Sequence, residues 1–123
     1  MKELSCFYSM VEIFRTHLSR QLPSQHISLF LLVALKPGIS QADLSRELQM
    51  PQGTVSRNVK LLSTYFEQNG RGRCAKGYGL LQTRPLADRS PALGVHLTDK
   101  GEGLMLDIVE ELRSGLGNFA LAS

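Results

Sequence analysis

Ile39-Ser-Gln-Ala-Asp-Leu-Ser-Arg-Glu-Leu-Gln-Met-Pro-Gln-Gly-Thr-Val-Ser-Arg-Asn-Val-Lys-Leu-Leu62 decides how this chain is read. The stretch predicts two short amphipathic helices joined by a tight turn. Ser40 stands where its side-chain oxygen can accept an orphan N–H of the first helix. Ala42, Leu44 and Leu48 recur at helical spacing, whereas Asp43, Arg46 and Glu47 face outward. Gln49 and Met50 form the turn. Pro51 suits a first helical position, where its missing N–H has no intrahelical partner to lose. Val55, Val59 and Leu62 give the second helix an inner face, and Gln52, Thr54, Ser56, Arg57 and Lys60 occupy the outer one, with no acid before Glu67. This is the pattern of a helix-turn-helix, whose second helix offers hydroxyl, amide and guanidinium groups to base edges and phosphates in a major groove. An ordinary helix pair in a bundle has the same periodicity, so the surrounding sequence has to decide.

Downstream, Leu80-Leu81-Gln82-Thr83-Arg84 predicts one strand, and the alternation of Leu93, Val95 and Leu97 predicts a second. Pro85 to Ala92 lie between them, with two prolines and an Asp88-Arg89-Ser90 tip that suit an exposed loop. An arginine at such a tip is attracted by the negative potential of a minor groove, and a neighbouring carboxylate can hold its guanidinium in place. A solvated turn is the alternative for Arg89.

Three patterns together resemble the MarR (multiple-antibiotic-resistance) family of winged-helix regulators, over about residues 27–106. They are Ser40-Gln-Ala-Asp-Leu-Ser-Arg-Glu-Leu48, Gly79-Leu80-Leu81 with Arg84-Pro85, and Asp88-Arg89 followed by Leu97-Thr98-Asp99-Lys100-Gly101. The resemblance implies a mainly α fold with a small β-hairpin: a winged helix-turn-helix with N- and C-terminal dimerisation helices. It implies a dimeric transcription regulator, usually a repressor, that sets one recognition helix per subunit into successive major grooves of double-stranded DNA. Thr54, Ser56 and Arg57 match the recognition-helix contacts, Asp88 and Arg89 match the wing, and Thr98 matches the cap of the helix leading into the dimerisation region. A small-molecule effector lodged between the dimerisation helices and the winged domain is also implied, although no residue pattern names one. The sequence departs from the family in three ways. Glu67 to Tyr78 intervene before the wing, the tip reads Asp-Arg-Ser where a second arginine is usual, and the chain leaves room for one helix after the wing.

The intervening segment carries Arg71, Arg73 and Lys76 among three glycines, with no acid after Glu67. A mobile basic loop of this kind would touch phosphates and add salt-dependent affinity without sequence information. A solvated linker is the competing reading. From 40 to 101 nine basic residues stand against five acidic ones, whereas 102–123 have one against four. The middle of the chain is thus suited to a polyanion and its end is not.

One winged-helix domain over 1–123 is expected. Its parts are an N-terminal helix at 1–22, a helical core at 24–66 containing the helix-turn-helix at 40–66, a basic Gly-rich insertion at 67–78, a wing at 79–98 and a C-terminal helix at 99–117. Leu4, Phe7, Tyr8, Val11, Phe14 and Leu18 form an apolar stripe, and Leu104, Leu106, Ile108, Val109, Leu112 and Leu116 form another. A chain of 123 residues hides only part of both in its own core, which favours a homodimer over purely intrachain packing. The longest apolar run, Leu29 to Leu35, is too short to span a membrane, and the opening residues do not read as a secretion signal, so a cytoplasmic location is expected.

Cys6 lies where hydroperoxide-sensing members of the resembled family keep a reactive cysteine, but residues 23–30 lack the tyrosines that would bond its thiolate, which favours an inert thiol. A disulfide with Cys74 is not expected in a reducing compartment. His17, His26 and His96 lack the spacing of a metal site; His26 is expected at the surface near a helix start, and His96 on the outer face of its strand. No nucleophile elbow, phosphate loop or paired acids point to catalysis, so no enzyme, cofactor or metal is expected. The leading expectation is a sequence-specific regulator of transcription. Alternatives are an accessory protein in replication, partition or transfer of a mobile element, and an interaction module that no longer binds DNA. Retention of Arg57, Arg84 and Arg89 argues against the last.

Overall fold

The computed structural model describes residues 2–18, 23–86 and 92–122, with side chains for 3–18, 23–86 and 92–115. In chain order its elements are α1 (Lys2–His17), α2 (Ser24–Leu35), β1 (Ile39–Ser40), α3 (Gln41–Leu48), α4 (Gln52–Leu62), β2 (Tyr65–Asn69), β3 (Gly72–Lys76), β4 (Leu81–Pro85), β5 (Leu93–Leu97) and α5 (Asp99–Ala122). They divide into two compact units, residues 23–102 and residues 1–22 with 103–123.

The unit 23–102 is built around α2. His26, Leu29, Phe30 and Val33 follow each other at short helical intervals and are all buried. Ile39 of β1, Leu44 of α3, Val55, Val59 and Leu62 of α4, and Leu80, Leu81 and Val95 near or within the later strands complete the unit's buried apolar set. Full burial of such a side chain contributes about 1.5–3 kcal/mol, so the inner faces of α3 and α4 are tied to a common core. β1, β5 and β4 form an antiparallel sheet in that order, pairing Ile39 with Val95 and Leu81 with Leu97. The fold is thus mainly helical with a small antiparallel sheet, a winged helix-turn-helix.

Local chemistry explains the boundaries. Ser40 Oγ accepts from the Asp43 N–H at 3.0 Å and caps α3. Gln49 takes a left-handed conformation at φ 54°, and the turn closes through Met50 N–H to Ser45 O at 3.1 Å and Ser45 Oγ to Met50 O. Thr98 Oγ1 accepts from Gly101 N–H at 3.1 Å and donates to Gly79 O at 2.6 Å, so one hydroxyl caps α5 and ties it to the chain ahead of β4. Gly101 is required there because a Cβ would stand 2.2 Å from Leu80 O.

Several expectations need correction. Ala42 is exposed, because it lies two residues from the buried Leu44 and so on the opposite side of α3. Pro51 is the N-cap of α4, not its first residue: its ψ of 146° is extended, and its carbonyl accepts from the Thr54 and Val55 N–H groups. His26 is buried, since it shares the inward stripe of Leu29 and Phe30 and finds Asn58 for a partner. In β5, Leu93 is exposed, Gly94 and Val95 are buried, and His96 and Leu97 are both half-buried, so the expected alternation is not found.

The largest difference concerns the insertion. It is not a loop: β2 and β3 pair antiparallel in full register from Tyr65 with Lys76 to Asn69 with Gly72. Asn69 Oδ1 accepts from Arg71 N–H at 3.2 Å and shapes the turn. At the other end, the N–H groups of Tyr78, Gly79 and Leu80 donate to the carbonyls of Leu61, Ser63 and Leu62. Those carbonyls lie at the end of α4 and would otherwise lack helical partners.

In the unit 1–22 with 103–123, Phe14, Leu104 and Ile108 are buried, and the Cys6 thiol faces Glu111 O at 3.7 Å. Leu4, Phe7 and Tyr8 on α1 and Leu106 on α5 are all more than 60% exposed. α5 runs to Ala122, beyond the expected end at 117.

Candidate nucleic-acid interface

The two helices of the motif start differently. α3 begins with a serine cap and an acid, Asp43, in its first turn, so one orphan N–H and the positive dipole end are answered within the chain. α4 begins at Pro51, with no side-chain cap among the described residues and no acid in its first turn. The Thr54 N–H is bonded back to Pro51 O, but no side chain or acid answers the positive dipole end, which can therefore receive an outside anion.

Burial separates the faces of α4 cleanly. Val55, Asn58, Val59 and Leu62 are buried, Gln52, Ser56, Arg57 and Lys60 are exposed, and Thr54 is half-buried. Arg57 Nη2 donates to Thr54 Oγ1 at 3.3 Å, which brings the guanidinium back toward the helix start. The nearby acids are answered: Asp43 pairs with Arg46, and Glu47 with Lys36 at 2.5 Å. The outer face of α4 thus presents hydroxyl, amide and cationic groups with no carboxylate of its own.

Beneath that face lies a polar contact unforeseen in the sequence. His26 Nε2 and Asn58 Oδ1 are 3.2 Å apart, and Asn58 Nδ2 donates to Gln25 Oε1 at 3.3 Å. His26 Nδ1 is buried without a partner among the described residues. The pair fixes the rotation of α4 against α2, because turning Asn58 outward would strand the buried imidazole. Asn58 gave one readable sign, a polar residue set between Val55 and Val59 on the apolar stripe.

The ribbon begins where α4 ends. Lys60 Nζ lies 4.8 Å from the centre of the Tyr65 ring, and Lys76 is the cross-strand partner of Tyr65. Arg73 lies 4.7 Å over Phe66, and Arg71 sits in the turn. Arg73 and Lys76 on β3 are exposed, as is Arg71. Neither aromatic stands out as a site residue in the sequence, although Asn69-Gly70 is a turn signal that would have exposed the hairpin. Arg84 is exposed on β4, paired with Gly94. Asp88 and Arg89 lie outside the described residues. Among the described residues no cluster of histidine, cysteine or acids is arranged to hold a metal, and no helix is long and apolar enough to cross a membrane.

No protein-family model matches the sequence, and no curated protein is significantly similar to it. Solved structures do match. The PcaV transcriptional regulator of Streptomyces coelicolor, solved with its natural ligand, aligns at a TM-score of 0.56 and 17% identity, covering 90% of this chain and 70% of that one. MarR aligns at 0.57 and 16% identity, over 93% of this chain and 74% of its own. A MarR-like transcriptional regulator from Thermotoga maritima aligns at 0.58 and 19% identity, over 95% and 77%. The chain therefore has the MarR-like winged helix fold, and the resemblance read from its sequence is borne out in architecture.

Proposed function

We propose that this chain is a sequence-specific, double-stranded DNA-binding regulator of transcription that acts as a dimeric repressor, with α4 as its recognition helix. One observation carries the reading: α4 turns an uncapped, acid-free N-terminus and the side chains of Gln52, Thr54, Ser56, Arg57 and Lys60 outward from a fully packed inner face. That is what a helix entering a major groove needs, with short polar groups and an arginine near base edges and a lysine for the backbone. The fold it shares with known transcriptional regulators supports the same reading. Arg84, and Asp88 with Arg89 at the wing tip, would follow the adjacent minor groove. Leu4, Phe7 and Tyr8 are large apolar side chains that a monomer leaves in water, and a second copy would cover them while spacing two recognition helices one helical turn apart. PcaV was solved with its natural ligand, and a small-molecule effector of this chain would act by changing that spacing.

Selection of bound duplexes from a random pool at physiological salt tests the proposal. An inverted repeat is the expected product, and Arg57→Ala should cost about 1–3 kcal/mol at one base position of each half-site. Enrichment of a direct or asymmetric repeat would favour a replication, partition or transfer role instead. No enrichment would overturn sequence-specific binding.

A further inference from the structure

We propose that the β2–β3 ribbon is a second arm on the same DNA, gripping the sugar-phosphate backbone beside the groove that α4 enters; this rests on α4 being the recognition helix. Charge points to the partner. The ribbon carries Arg71, Arg73 and Lys76 against the single acid Glu67, and every one of its residues beyond Tyr65 is exposed. Position points to the same duplex. Lys60 lies on the outer face of α4 and rests on Tyr65, and Lys76 shares Tyr65's side of the ribbon, so a cationic track runs off the helix onto that face, while Arg73 and Phe66 stand on the other. Because the ribbon's base is bonded to the carbonyls of Leu61, Leu62 and Ser63, the arm keeps a set distance from α4.

Phe66 is 56% exposed and lies against a cation. It is the diagonal neighbour of Arg73, whose guanidinium is stacked on it. Stacking fixes the guanidinium plane and leaves its N–H edge open for phosphate oxygens, so the ring acts as a positioning residue for the arginine. Cation–phosphate pairing of this kind releases counterions and does not read bases.

The test is the salt dependence of binding to a random-sequence duplex and to a selected one, using the full chain. The triple variant Arg71→Ala/Arg73→Ala/Lys76→Ala should make the slope of log K against log salt shallower by about 0.9 for each phosphate that is no longer neutralised, on both duplexes alike. Between about 50 and 200 mM salt, each such phosphate amounts to a roughly threefold smaller fall in affinity. Phe66→Leu should reproduce the effect of Arg73→Ala, and Phe66→Trp should restore it. If the triple variant melts early, Arg71→Gln, Arg73→Gln and Lys76→Gln carry the test singly, each lowering the slope by about one unit. An unchanged slope, with Arg57→Ala still relaxing preference at one base position of each half-site, would overturn the arm and leave the recognition helix standing. Failure of the unaltered chain to bind any duplex at low salt would overturn both.

Discussion

Two hairpins in this molecule have strands of equal length and opposite means of support. The β4–β5 wing buries Leu81 and Val95 completely and gains a third strand from β1. The β2–β3 ribbon buries none of its side chains: Tyr65 is half-buried and the rest are exposed. A lone two-stranded hairpin is marginal in water, so the ribbon depends on its bonded base, its turn and its two ring contacts. Stability accounts for the residues of the wing's inner face. It accounts for few of those on the ribbon, where three cations and one exposed phenyl ring stand clear of any core.

The contrast breaks most visibly under core truncation. Leu81→Ala should destabilise the fold by about 2–5 kcal/mol, because a fully packed leucine leaves a cavity. A lower urea midpoint at unchanged slope would record it. A loss below about 1 kcal/mol would mean that the wing is no better anchored than the ribbon.

Next in size is Gly77→Ala, aimed at the base of the ribbon. Gly77 has φ +94°, and a Cβ there would stand 2.0 Å from Ser63 O, a backbone atom held in the α4 junction. The added strain is about 1–3 kcal/mol, but the ribbon can escape it by opening alone. Hydrogen exchange at residues 65–76 should therefore accelerate by roughly tenfold to a hundredfold, while amides paired within β4–β5 stay as protected as before. Equal acceleration in both hairpins would show that they open as one unit and that their separate support is illusory.

The same contrast explains what was legible in the sequence. The helix-turn-helix could be read because burial imposes periodicity: Leu44, Val55, Val59 and Leu62 recur at helical intervals, and Ser40 and Thr98 cap where short hydroxyls should. The ribbon has no buried face and hence no apolar alternation, so its three glycines and three cations looked like a loop. His26 and Asn58 were missed for a related reason. Each is polar, and their burial is intelligible only once α2 and α4 are side by side and the two side chains can satisfy one another. On the outer face of α4 the residue types were visible, but the contrast between a capped α3 and an uncapped α4 needed coordinates. Asp88 and Arg89 remain expectations from the wing-tip sequence.

The smallest expected effect is the most specific, and it concerns whether the ribbon is oriented by α4 or merely attached to it. Lys60 is exposed, and its ammonium over Tyr65 is a side-chain link between helix and ribbon. An exposed cation–π contact contributes about 0.5–1 kcal/mol. A double-mutant cycle of Lys60→Ala and Tyr65→Ala, read from exchange at residues 65–76, should return a coupling of about that size. The same cycle read at β4 and β5 should return none, because neither residue belongs to the wing sheet. Zero coupling in the ribbon would leave its orientation to the three backbone bonds at its base, and the cationic track from Lys60 to Lys76 would then be a juxtaposition that the molecule does not enforce.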